Sequence, residues 1–162
     1  MGFVKLSLGK YGDAASSFSK SISLGEGDGV TYVALGYCYY MRQQFISAEN
    51  AYSMGALLLP ESKDARNGLV NCLIETNRFA EALALLNELL IKEPENSFGH
   101  RARVAALQGL GLEMEATVAL ETLKRLGNLS KEDVIRLGDL YHNLGLYDLS
   151  LQNYERAIEG DE

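Results

Sequence analysis

The chain has 162 residues, 47% of them hydrophobic, and a formal net charge of −7. That charge argues against nucleic acid as a partner, because phosphate binding needs a concentrated basic surface. No apolar run approaches the roughly 18 residues of a membrane span, and two cysteines are too few for a disulfide framework.

Two prolines and a strong supply of Leu, Ala and Glu suit helices better than sheet. The opening MGFVKLSLGK has no charged leader followed by an apolar block, so no signal peptide is expected and a cytoplasmic setting is favoured. A short helix beginning near Met1, without its opening turns, leads into a complete helix over Tyr11–Leu24. GEGDG, Gly25–Gly29, reads as a flexible turn: a phosphate-cradling loop would need a preceding strand and a following Lys-Ser/Thr. Beyond it the chain keeps one ruler. Ala14, Ala48, Ala82 and Ala116 stand 34 residues apart and Ser150 continues the series with another small residue. Phe18, Tyr52, Leu86, Leu120 and Tyr154 follow four residues after each. Gly2, Gly36 and Gly138 share a second phase, with Val70 and Val104 between them, and Pro60 and Pro94 share another. The last stretch, Leu137–Ile158, shows the unit whole: two amphipathic helices joined by a tight turn at Gly145.

On these residues the chain resembles the tetratricopeptide repeat family, whose signature is W-x₂-L-G-x₂-Y, then A-x₃-F, then P, over 34 residues. The repeat at 29–62 carries Tyr32, Leu35, Gly36, Tyr39, Ala48, Tyr52 and Pro60 in those places. The repeat at 63–96 keeps Leu69, Leu73, Phe79, Ala82, Leu86 and Pro94 but has Val70 for the glycine. The repeat at 97–130 departs furthest, with Arg103-Val104 for Leu-Gly and Glu113 for an aromatic, and 131–162 returns to the pattern. With a partial repeat over 1–28, the resemblance implies a single all-α domain over 1–162, a right-handed solenoid of about five helix–turn–helix units. Such units bury their apolar faces only by stacking on neighbours.

The small residues are expected to set how closely paired helices approach, Gly36 against Ala48 and Gly138 against Ser150. Gly9, Gly111 and Gly145 are expected to end first helices in a left-handed conformation, with Asn77 able to do the same and Gln43 a poor fit. Cys38 and Cys72 occupy one phase of adjacent repeats, about 10 Å apart by helix-packing distances, so they should remain free, buried thiols. Asn128-Leu129-Ser130 matches a glycosylation acceptor but is a triplet frequent by chance.

The face of each first helix left over from packing lines, by the resemblance, a concave groove that binds protein partners. In the second repeat it offers Val30, Val33, Tyr37, Tyr40 and Met41, and in the third Asp64, Asn67, Asn71 and Glu75. The fourth gives Phe98, Arg101, Ala105 and Gln108, the fifth Glu132, Arg136, Asp139, His142 and Asn143. The apolar N-terminal part suits an anchoring side chain, and the amides of Asn67, Asn71 and Gln108 suit a peptide backbone. Some family members clamp a C-terminal carboxylate with Lys, Arg and Asn. Here Asn71 and Arg136 fall at suitable places, but Asn67 and Glu132 stand where lysines are needed, so such a clamp is not expected. His142 and Asp139, three apart on one helix face, could pair or ligate a metal, but no further ligand is phased beside them. His100, in an apolar place of the signature, reads as partly buried. The expectation is a non-enzymatic adaptor, without cofactor or metal, that binds a peptide or helical segment. Its alternative is a structural module self-associating through uncapped repeat ends.

Overall fold

The computed structural model describes residues 2–159. Among them the chain forms ten α-helices and no strand. In chain order these are α1 (Gly2–Ser7), α2 (Tyr11–Ser23), α3 (Gly29–Met41), α4 (Phe45–Leu58), α5 (Lys63–Glu75), α6 (Phe79–Lys92), α7 (Ser97–Gly109), α8 (Glu113–Arg125), α9 (Lys131–Asn143) and α10 (Tyr147–Glu159). None of these helices is long and apolar enough to cross a membrane. The all-α helical-repeat class read from the sequence is the observed one.

The two kinds of helix begin differently. Asp28, Ser62, Asn96 and Ser130, spaced 34 apart, each accept a hydrogen bond from the backbone N–H three residues on, at 2.8, 3.2, 2.8 and 3.2 Å. Each therefore satisfies one of the N–H groups that a helix start leaves unpaired. At α9 the cap is reciprocal, with the Asp133 carboxylate accepting from the Ser130 N–H at 3.0 Å. The second helices α2, α4, α6 and α8 have no side-chain cap. They start straight out of a left-handed residue that closes the helix before: Gly9, Gln43, Asn77 and Gly111, with Gly145 doing the same before α10, all with φ between 58° and 74°. After α3 the Gln43 N–H donates to the Tyr40 carbonyl and the Gln44 N–H to the Tyr39 carbonyl, 2.8 and 2.9 Å, the pairing that ends a helix in a left-handed turn. Gln43 is thus held where a side chain is disfavoured.

The chain divides into two compact units, Met1–Thr76 and Asn77–Glu162. In the first, Ala14, Ala15, Phe18, Leu35, Cys38 and Ala51 form one buried cluster, and Ala48, Tyr52 and Cys72 another. Both cysteines are free and fully buried; burial pushes the Cys72 thiol up to about 12. In the second unit Val104, Leu107, Leu120, Leu123, Leu137 and Leu140 make the core, with Tyr141 closing it.

Glycine and aromatic are matched across each helix pair. A Cβ on Gly2 would lie 2.6 Å from the Phe18 ring, one on Gly36 2.8 Å from Tyr52, and one on Gly138 2.6 Å from Tyr154. Contacts this short do not occur, so each ring occupies the space its glycine leaves. The sequence sets Gly36 against Ala48 and Gly138 against Ser150. Those two partners are buried alongside, but the ring four residues later is what the glycine admits. Where valine replaces glycine, as at Val104, the partner position holds the smaller Leu120 and both are fully buried.

Candidate functional site

In the first unit α1, α3 and α5 share a cleft of about 480 Å³. Its walls come from Phe3 on α1, from Val30, Val33, Tyr37 and Tyr40 on α3, and from Asp64, Asn67 and Asn71 on α5. Tyr52 reaches it from α4, past Gly68, where any Cβ would collide with the ring. The glycines therefore do two things at once: they let Tyr52 pack, and they open the cleft that its ring helps to line.

Periodicity explains the convergence. Residues 3, 37 and 71 stand 34 apart, as do 30 and 64, and 33 and 67, so equivalent turns of three first helices bring Phe3, Tyr37 and Asn71 to one face. Tyr37 and Met41 are each 42% exposed and Val30 is 50% exposed, an unusual density of accessible apolar surface. Phe3 is itself propped edge-on against Phe18, ring centres 4.9 Å apart, and Tyr37 against Tyr11 at 6.0 Å.

The cleft's electrostatics are one-sided. Tyr40 donates its O–H to Glu75 Oε1 at 3.2 Å; burial, then the Glu75 charge and this bond, push the Tyr40 hydroxyl up to about 12. Burial raises the Tyr52 hydroxyl further, and the Asp64 carboxylate is among the groups adding to the effect. All the cleft's tyrosines thus carry neutral O–H groups at neutral pH. Asp64 is the charged residue of the lining, and the Asn67 Oδ1 is shut off from solvent with no hydrogen-bond partner.

Of the positions expected in the first unit, Val30, Val33, Tyr37, Tyr40, Asp64, Asn67 and Asn71 line this cleft, while Met41 and Glu75 lie outside its lining. Phe3, Ala34, Tyr52 and Gly68 line it too, beyond the expected set. Phe3 is discoverable from the sequence: the same ruler that joins Tyr37 to Asn71 lands on it. In the sequence Tyr52 stands only as the aromatic of the repeat signature, and here it is both buried and part of the lining.

In the second unit the expected positions are spread along α7 and α9. Arg101 Nε donates to Asp133 Oδ2 at 2.7 Å and its Nη2 donates to the Asn128 carbonyl, so this guanidinium ties α7 to the start of α9. Burial favours the neutral form of Asp133, but its bonds from the Ser130 N–H and Arg101 outweigh that and hold its carboxyl below the usual range. Asp139 accepts the Tyr154 O–H at 2.7 Å, and His142 sits edge-on to Tyr147 at 5.3 Å. Each of the two thus meets a tyrosine of α10. Phe98 and Arg136 are half-buried and Gln108 is exposed. His100 is buried, its Nε2 2.8 Å from the Pro94 carbonyl oxygen.

Two family models, each described as tetratricopeptide repeat, match residues 48–110 and 135–162, together more than half of the chain. No curated protein sequence matches it. Among solved structures the chain superposes on a crystal structure of MamA with TM-score 0.88 at 17% identity, over 99% of this chain and 94% of that one. Against MamA 41-end from Desulfovibrio magneticus RS-1 the TM-score is 0.88 at 13% identity, over 98% and 89%. Against TTC0263, a thermophilic TPR protein of Thermus thermophilus, it is 0.73 at 20% identity, over 98% and 87%. At such identities the likeness concerns the fold alone. With family models matching more than half of its length, and its fold shared with repeat proteins of known structure, this chain belongs to the tetratricopeptide repeat family.

Proposed function

We propose that this protein-interaction scaffold is a non-enzymatic adaptor that receives an extended or helical segment of a protein partner on the face shared by α1, α3 and α5. The cleft of about 480 Å³ carries the reading. It joins an apolar floor, which favours an anchoring side chain through lost hydration, to Asn67 and to the amide of Asn71, which can both donate to and accept from a peptide backbone. Phe98, Gln108, Arg136 and His142 on α7 and α9 are proposed as further contact positions. The five repeats over 1–162 are taken to act as one domain, with no cofactor or metal.

Binding of a peptide or protein ligand to the chain, compared with Tyr37→Ala and Asn71→Ala by calorimetry, tests this. Affinity should fall at least about tenfold for Tyr37→Ala, the loss of one anchoring aromatic. Unchanged affinity in both variants overturns the reading.

A second reading is self-association through α10, where Leu151 is 57% and Ile158 71% exposed, whereas Leu83 and Leu90 at the matching places of α6 are half-buried. A constant molar mass in light scattering across a hundredfold concentration range would exclude it.

A further inference from the structure

The cleft of α1, α3 and α5 holds a carboxylate and, among the described residues, no positive charge. Asn67 on α5 belongs to the lining, with its Oδ1 enclosed by the protein and without a hydrogen-bond partner. One turn earlier on α5 stands the exposed carboxylate of Asp64. No lysine or arginine lines the cleft among the described residues. The opposite wall is aromatic, with Tyr37, Tyr40 and Phe3, and ring faces attract cations. The volume is also larger than an anchoring aliphatic side chain alone would need.

We propose that the occupant of this cleft is a protein segment bearing an arginine beside an apolar residue, the guanidinium taken by the exposed Asp64 carboxylate and its stem lying along the tyrosine rings. Arginine fits better than lysine because its planar, multi-donor head both stacks on rings and meets the two oxygens of a carboxylate at once. An apolar neighbour fills the remaining floor at Val33 and Ala34. This rests on the reading of the cleft as a peptide site and adds to it the chemistry of the partner.

The test is selection of a random dodecapeptide display library on the full chain, followed by calorimetry of one selected peptide. Arginine should be enriched several-fold next to a leucine, isoleucine or phenylalanine. Arg→Ala in the peptide should cost about tenfold in affinity, as should Asp64→Asn in the protein. The two together should cost hardly more than either alone, and the affinity of the parent pair should weaken as salt is raised. Asp64 is exposed, so its variant keeps the fold, as circular dichroism would show. If selected peptides lose binding on Tyr37→Ala but show no basic enrichment, or bind Asp64→Asn as well as the parent, the cleft binds peptides and this inference is wrong. If Tyr37→Ala leaves all selected peptides bound, the cleft reading falls and takes this inference with it.

Discussion

Residues 2–76 and 77–159 are built on one 34-residue frame and use their first-helix faces in opposite ways. In the first unit that face is left open: Tyr37, Val30 and Met41 stand half in solvent, and Gly36 and Gly68 make room for the Tyr52 ring beneath. In the second, equivalent turns are occupied from within. Arg101 is spent on Asp133 and Asn128, and Asp139, in the phase of Tyr37, on the Tyr154 hydroxyl. The backbone frame therefore places a face; whether the face receives a ligand depends on whether its side chains already have partners.

The strongest way to break this comparison is to exchange the glycine–aromatic solution for the valine–leucine one. Gly36→Val should cost about 1–3 kcal/mol by overpacking against Tyr52. Adding Tyr52→Leu, the pairing seen at Val104 and Leu120, should return much of it, giving a coupling visible in a urea double-mutant cycle. Equal losses with no coupling would show that the matched pair is incidental.

Next comes a contrast at one phase. Tyr37→Ala should reduce ligand affinity at least about tenfold and leave the urea midpoint little changed, whereas Asp139→Ala should do the reverse, moving stability slightly and binding not at all. A ligand lost in both would make Asp139 a contact position despite its bond to Tyr154.

Arg101→Ala should destabilise by about 1 kcal/mol, a value kept modest because the guanidinium is 39% exposed and screened by solvent. The sign with pH follows from Asp133, whose carboxyl is depressed in the folded state. Its contribution is complete above the unfolded carboxylate value of about 3.9 and is lost as pH falls through the lower folded value. The stability gap between the parent and Asp133→Asn should therefore close only in acid, below about pH 4, in urea titrations run at successive pH values.

The smallest effect should be a gain. Gln43→Gly should stabilise by about 0.5–1 kcal/mol, the left-handed strain relieved less the chain entropy that glycine adds. Asn77→Gly should gain less, since asparagine tolerates that conformation. Thermal melts of the two variants would compare them directly.

The periodic backbone features are legible because each has a local cause. Helix pairs follow from apolar spacing at 3.6 residues, turns from Gly9, Gly111 and Gly145, and buried cysteines from their shared phase. The caps at Asp28, Ser62, Asn96 and Ser130 are equally local, yet a mix of three residue types makes them a fainter signal than the repeated glycines and aromatics. The cleft is half legible: one ruler groups Val33, Tyr37, Tyr40, Asn67 and Asn71, and extends to Phe3.

Sequence by itself determined the repeat, the helices and which positions share a phase, because those depend on residue type and spacing along the chain. Only the tertiary structure decided that Tyr52 reaches the cleft, that Arg101 and Asp139 are already engaged, and that the Asn67 oxygen is left without a donor. Those facts depend on which side chains from distant turns meet in space, and hydrogen bonding and packing are settled only there.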